Sequence, residues 1–168
     1  ADLGIAVDPD VDRLAFVAED GSYFGEEYTL VAVAEAILSQ KLGPTVSNMS
    51  STMALKVISA KAGSLYYSSP VGEVNVVNEM KKVGAVIGGE GNGGIIVPDL
   101  HYGRDAMVGI VIFLDYLSKR GITATQWRKS LPSFEMYKTK LEVSDKEQVQ
   151  ALLQKVKNLY SSHELDLR

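Results

Sequence analysis

Apolar residues follow two rhythms along this chain, and the switches between them mark its elements. A run at 3–7 (Leu-Gly-Ile-Ala-Val) and a second at 14–18 read as short strands, the first of the buried type. Asp20-Gly21 then supplies a hairpin turn that returns the chain over 22–24. From Gly25 the period lengthens: Leu30, Val31, Ala34, Ile37 and Leu38 predict a helix over 26–39, with Glu26 and Glu27 in the first turn, where the helix dipole favours them. Extended and helical segments alternate from there, with strands predicted at 45–49, 65–68, 85–88 and 95–97 and helices at 52–62 and 74–83. Such repetition is the mark of βαβ units. The fold class that follows is α/β, a mixed, mostly parallel sheet with flanking helices. Asp105 is placed to cap a long helix through Lys119, with Met107, Val108, Val111, Ile112, Leu114 and Leu117 as its apolar face and Gly121 closing it. A short helical segment around Trp127 ends at Pro132.

After that break a strand over 135–143 and a capping box, Ser144 with Glu147, open a helix that carries Val149, Leu152, Leu153, Val156 and Leu159 on one face. One strand and one helix cannot bury a core alone, so 133–168 is expected to begin a further domain, and 1–24, the rim of a sheet, to end a preceding one. Residues 25–132 then form the central α/β domain. The first strand starts at residue 3 without an initiator Met, and the chain stops just after a helix, so it reads as a fragment of a longer protein. Composition narrows the classes of partner. In 168 residues, 46% are hydrophobic, enough for real cores, while a net charge of −4 with dispersed cations argues against a nucleic-acid surface. The absence of cysteine excludes disulfides and zinc–thiolate sites, and no signal peptide or membrane-spanning stretch is present. A soluble, cytoplasmic protein acting on a small molecule is expected; the pattern leaves its oligomeric state open.

Candidate chemistry lies in two places. Asp8-Pro9-Asp10-Val11-Asp12-Arg13 follows the first strand. Asp8, Asp10 and Asp12 share one parity, so an extended path projects them together around a hard cation such as Mg²⁺, with Arg13 beside them for phosphate. The alternative is a solvated acidic turn. A calcium-binding EF-hand is excluded because Arg13 stands where the sharp turn needs Gly and a strand, not a helix, precedes. The second place is Gly88-Gly89-Glu90-Gly91-Asn92-Gly93-Gly94. At the carboxyl end of a strand, its glycines let backbone approach a polyhydroxylated ligand, Glu90 can accept from two hydroxyls, and Asn92 both donates and accepts. The competing reading is a plain turn between strands. Glu90 is expected to face solvent, so that neutralising it leaves stability unmoved. His101 reads as a surface residue, and Ser50-Ser51-Thr52 as a helix cap rather than a nucleophile.

Taken together, the motifs resemble the α-D-phosphohexomutase family of phosphoglucomutases, phosphomannomutases and phosphoglucosamine mutases. Its metal loop Asp-x-Asp-x-Asp-Arg is matched by Asp8, Asp10, Asp12 and Arg13, and its sugar loop Gly-Glu-x-Ser/Asn-Gly by Gly89, Glu90, Asn92 and Gly93, about eighty residues later. The resemblance implies a four-domain enzyme, of which this chain holds the end of the second domain, the whole third and the start of the fourth. The phosphoserine segment would lie upstream and a phosphate-binding loop downstream, so the chain alone is expected to be inactive. It further implies reversible phosphoryl transfer between C1 and C6 of a hexose phosphate through a bisphosphate intermediate. Asp8, Asp10 and Asp12 would hold Mg²⁺, Arg13 would stabilise phosphate oxygens, and Glu90 and Asn92, flanked by Gly89 and Gly93, would grip sugar hydroxyls. Two departures bear on substrate. Gly94 stands where the family's loop often has His, and the acidic Glu73 after Gly72 resembles glucosamine enzymes more than mannose or glucose enzymes. A haloacid-dehalogenase-type phosphatase shares an Asp-x-Asp after a strand, but its downstream Lys and acidic motif have no clear match. A non-catalytic sugar-phosphate-binding module is the remaining alternative.

Overall fold

The computed structural model describes residues 1–137, 139 and 146–160. Strands β1 (Gly4–Val7) and β2 (Leu14–Val17) pair antiparallel with Val7 opposite Leu14, so residues 8–13 form the connection between them. An isolated bridge from Val17 to Tyr23 returns the chain towards helix α1 (Glu26–Leu38). There follow β3 (Thr45–Asn48), α2 (Ala54–Lys61), β4 (Tyr66–Ser69), α3 (Glu73–Val83), β5 (Ile87–Glu90) and β6 (Gly94–Ile96). Helices α4 (Ala106–Arg120) and α5 (Ala124–Ser130) complete the unit Ala1–Phe134; α6 (Lys146–Tyr160) belongs to a second unit, Glu135–Arg168.

The four-stranded sheet runs β4-β3-β5-β6, with β3 parallel to both β4 and β5 and only β6 antiparallel. The chain steps from β3 to one side through α2 and crosses back through α3 to the other, so the connections diverge at the carboxyl end of β3. Open α/β sheets bind their ligands at such a switch point. Asn48, Ser69 and Glu90 end the three parallel strands on that edge. Helix α3 covers one face of the sheet, where Val46, Val76, Met80, Ala85 and Ile96 make a small core. The larger core lies across the other face, under α1, α2, α4 and α5. Its centre is aromatic. Phe16 of β2 stacks on Phe113 of α4 with ring centroids 3.8 Å apart, Phe24 meets both edge-on, and Trp127 lies against Phe113 at 4.7 Å. The Trp127 indole N–H donates to Glu35 at 2.6 Å, which lets so large a ring be buried without stranding its donor.

Several expectations need correction. β1 is not a buried strand: Ile5 and Val7 are each 45% exposed, because β1 pairs with β2 alone among the described strands. The buried stripe of α4 is Ala106, Gly109, Phe113 and Tyr116, while Met107, Val111 and Leu114 point to solvent. Small residues at 106 and 109 let the helix approach β2 and β6, and the rings fill what remains. β5 begins two residues later than the apolar run suggests, so Glu90 belongs to the strand. The predicted strand at 135–143 falls partly outside the described residues, and 135–137 and 139 are not extended into a sheet. Ser144 and the Glu147 side chain also lie outside them, and Leu152, Leu153, Val156 and Leu159 of α6 are exposed. The other elements stand within a few residues of expectation, with Asp105 accepting from the Val108 N–H and Gly121 closing α4 in the left-handed conformation.

Because Phe113 bridges the first hairpin to α5, Phe113→Ala is expected to lower the stability of the unit by about 3–5 kcal/mol, the usual loss for a buried ring. Urea denaturation followed by Trp127 fluorescence measures it; a loss below ~1 kcal/mol would mean that the aromatic cluster does not hold the hairpin in place.

Candidate functional site

The acidic connection is a turn curled about its first residue. Asp8 Oδ1 accepts from the backbone N–H groups of Asp12 and Arg13, each at 3.1 Å, while the Val11 N–H donates to the Asp8 carbonyl at 3.0 Å. Val11 takes a φ of 55°, rare for a β-branched side chain, and is held there by that bond and by its own carbonyl, which accepts from Ala106 N–H at 3.1 Å. The parity argument therefore does not describe the loop. Asp8 and Asp12 are brought into hydrogen-bonding contact by the curl, and Asp10 lies exposed on the same turn. Among the described residues no three His, Cys, Asp or Glu side chains converge as a metal cluster. Arg13 lies 3.7 Å from Asp8 and 3.8 Å from Asp12 and remains half-exposed.

Electrostatics follow the same geometry. Burial and the facing Asp8 carboxyl push the Asp12 acid above the usual range, against the pull of Arg104. Burial works upward on Asp8 as well, but the Arg13 N–H, the Asp12 carboxyl and N–H, and the Arg13 charge hold it below its ordinary value.

The glycine-rich loop meets this turn directly. The Leu14 N–H, at the start of β2, donates to the Gly93 carbonyl at 3.1 Å. Gly93 has a φ of 86°, and a Cβ there would strike the Leu14 backbone, so only glycine allows the contact. Asn92 Oδ1 accepts from the Gly94 N–H at 3.2 Å, and Asn92 lines a shallow groove of about 230 Å³ with Asp8, Arg13 and Glu26. Glu90 does not face solvent. It is 6% exposed, its Oε1 accepts from Asn48 Nδ2 at 2.7 Å, and its Oε2 accepts from Arg104 Nη1 at 2.9 Å. Neutralising it therefore disturbs a buried ion pair, contrary to the expectation of unmoved stability.

Arg104, which no local pattern singles out, joins the two loops. Its guanidinium donates through Nη2 to Asp12 Oδ2 and through Nη1 to Glu90, and its Nε lies 3.3 Å from Glu73 Oε2 at the start of α3. The side chain is 13% exposed. A Cβ on Gly94 would come within 2.5 Å of Arg104 Cδ, so the glycine at 94 and the arginine at 104 share one space. Only the fold displays that complementarity, because Gly94 and the acidic partners of Arg104 all lie far outside its own turn. Asn48 was also missed: its Oδ1 gathers the Ser50 N–H and the Ser50 and Ser51 hydroxyls, so these serines orient Asn48 rather than cap α2. Thr52 alone has a cap-like role, accepting from Ala54 N–H. His101 is exposed and contacts Asp105 at 3.0 Å, as a surface residue would.

The donor set suits a hard divalent cation. It offers oxygen ligands only, two of them carboxylates already opposed. Asp8, Asp12, Glu73 and Glu90 against Arg13 and Arg104 leave the ion-paired groups with a formal charge of −2, which one such cation would neutralise.

Comparison with known proteins agrees with this architecture. Residues 25–134 match the family described as phosphoglucomutase/phosphomannomutase, alpha/beta/alpha domain III. A phosphoglucomutase/phosphomannomutase of Thermococcus kodakarensis is 31% identical over 144 residues, 85% of this chain and 32% of that protein. A phosphoglucosamine mutase of Herminiimonas arsenicoxydans is 30% identical over 167 residues, 91% of this chain and 37% of that protein. The crystal structure of a phosphoglucomutase/phosphomannomutase family protein from Burkholderia thailandensis superposes with a TM-score of 0.68 at 26% identity, over 79% of this chain and 29% of that one. The chain thus spans about a third of the length of the curated relatives it matches. A three-layer α/β/α unit with a matching family domain across residues 25–134 places the chain in the α-D-phosphohexomutase family, in the region of its third domain.

Proposed function

We propose that this chain forms the metal-loop and sugar-loop part of a cytoplasmic phosphohexomutase that moves a phosphoryl group between C1 and C6 of a hexose phosphate. The observation that carries the proposal is the junction of the two loops: the Leu14–Gly93 backbone bond, and Arg104 between Asp12 and Glu90, put the acidic turn and the glycine-rich strand end in one place. A phosphatase of the haloacid-dehalogenase type needs no sugar loop beside its acidic turn, and nothing in the site calls for that reading.

In this reading the opposed Asp8 and Asp12, joined by Asp10 from the exposed side of the same turn, would hold Mg²⁺, which when bound offsets the negative charge of the transferring phosphoryl group. Arg13, half-exposed beside Asp8 and Asp12, supplies a planar donor fork to phosphate oxygens without having to leave a buried partner. Glu90 keeps one lone pair on each oxygen after binding Asn48 and Arg104, and these are the acceptors for two adjacent sugar hydroxyls. Asn92 adds an amide at the groove mouth. Because such a grip reads hydroxyls common to several hexoses, substrate choice falls to the rim. Glu73, an acid at the start of α3 and partly exposed, favours an amino sugar, so the preferred substrate is a glucosamine phosphate, with mannose and glucose phosphates as secondary ones.

Three outcomes test this. Asp10→Asn in the full-length protein should cut turnover at limiting Mg²⁺ by at least about a hundredfold while the fold, read by circular dichroism, stays intact; wild-type rates would remove Asp10 from the metal site. The 168-residue chain alone should give no turnover in a coupled assay with glucose 1-phosphate and catalytic glucose 1,6-bisphosphate, and sustained turnover would show that the reaction needs no group outside it. Glu90→Gln in the full-length protein should lower kcat/KM by about tenfold or more, the equivalent of ~1.4 kcal/mol, and should also lower Tm, because Arg104 loses a charged partner. An unchanged kcat/KM with a lowered Tm would leave Glu90 a purely structural residue.

A further inference from the structure

The arrangement around Arg104 has more order than a surface ion pair. One guanidinium, almost enclosed, is shared by three carboxylates drawn from three separate elements: Asp12 from the acidic turn, Glu90 from the end of β5 and Glu73 from the start of α3. Its own backbone is fixed on both sides. The Arg104 N–H donates to Glu73 Oε1 at 3.3 Å, the Asp105 N–H to the Ile95 carbonyl at 2.9 Å, and the Ala106 N–H to the Val11 carbonyl of the acidic turn at 3.1 Å. Gly94 leaves the space that the arginine stem fills. So the cation is held from the backbone outwards, and its fork can serve two acids in one plane because guanidinium donors are rigidly coplanar.

Two of those acids have other duties in the function proposed above, on which this inference rests. Asp12 belongs to the metal loop and Glu90 to the sugar loop. We propose that Arg104 is the positioning residue that couples the two loops: it shares Asp12 with a divalent cation held there, and it aligns Glu90 for the sugar hydroxyls. A cation arriving at Asp12 competes with the guanidinium for the same carboxylate, and the two positive charges repel across a partly buried site where screening is weak. Arg104 released from Asp12 remains bound to Glu90 and Glu73, so it still holds Glu90 in place for the sugar while the cation sits at Asp12. The same residue therefore weakens metal binding in the absence of sugar and strengthens sugar binding. A purely structural arginine would do neither with opposite sign.

That opposition defines the experiment. In the full-length protein, Mg²⁺ affinity without sugar is measured by titration calorimetry, with Mn²⁺ paramagnetic resonance as a second readout, and affinity for glucose 1-phosphate is measured at saturating Mg²⁺. Arg104→Gln removes charge and fork together: Mg²⁺ should bind about threefold tighter or more, and glucose 1-phosphate about tenfold weaker. Arg104→Lys keeps the charge and loses the fork, so Mg²⁺ affinity should stay within about twofold of wild type while sugar-phosphate affinity still falls. If Arg104→Gln weakens both ligands or changes neither, or if Arg104→Lys restores sugar affinity in full, Arg104 does not couple the loops. If the wild-type protein binds no Mg²⁺ and neither glucosamine 1-phosphate nor glucose 1-phosphate, the proposed function itself is overturned, an outcome separate from failure of the coupling alone.

Discussion

The site depends on one backbone contact, the Leu14 N–H on the Gly93 carbonyl, because it fixes the start of β2 against the turn that follows β5. Around that contact the chain has little freedom. Gly93 must adopt a positive φ and can carry no side chain, since a Cβ would run into the Leu14 backbone. Leu14 is itself buried, and its carbonyl is bound by the Thr29 hydroxyl at 3.0 Å, so α1 holds the same point from below. The Val11 carbonyl is taken by the amino end of α4. A rigid frame of backbone bonds thus surrounds the acidic turn before any charged side chain is considered, which is the condition for presenting charge with precision.

On that frame the charged groups form one connected chain. Asn48, steadied by Ser50 and Ser51, holds one oxygen of Glu90; Arg104 holds the other and reaches Asp12; Asp12 faces Asp8; and Asp8 draws in the N–H groups of the turn. Burying several like charges is unfavourable unless each is paired and hydrogen-bonded. The acids here are paired with too few cations, and the excess is negative. A site so built is stabilised by whatever positive charge enters it, which ties the electrostatics of folding to those of ligand binding.

The aromatic core serves the same end at a distance. Phe16 is only two residues beyond Leu14, and its stacking on Phe113 and, through it, on Trp127 anchors β2 to α4 and α5. Since β1 is exposed and pairs with β2 alone among the described strands, the hairpin that carries the acidic turn is held chiefly by β2. Packing under the hairpin and backbone bonds above it together decide where Asp8 and Asp12 point.

Much of this was legible in the sequence, because it depends on local pattern. The βα alternation, the capping aspartate at 105, the glycine at 121 and the two motifs that resemble one family all rest on residues near one another in the chain, where periodicity, caps and turn chemistry act. The tertiary structure decided what depends on distant partners. Parity predicted an extended path through the three aspartates, but the chain curls into a turn closed on Asp8, whose carboxylate takes two backbone N–H groups. The apolar run after Gly84 could not show that β5 extends through Glu90, since the strand's length is set by pairing with β3 and β6. Nor could local pattern single out Arg104, whose three acidic partners lie 14, 31 and 92 positions away along the chain. Short-range physics wrote the elements and the motifs into the sequence; the chain of charged contacts exists only where the folded chain brings those motifs together.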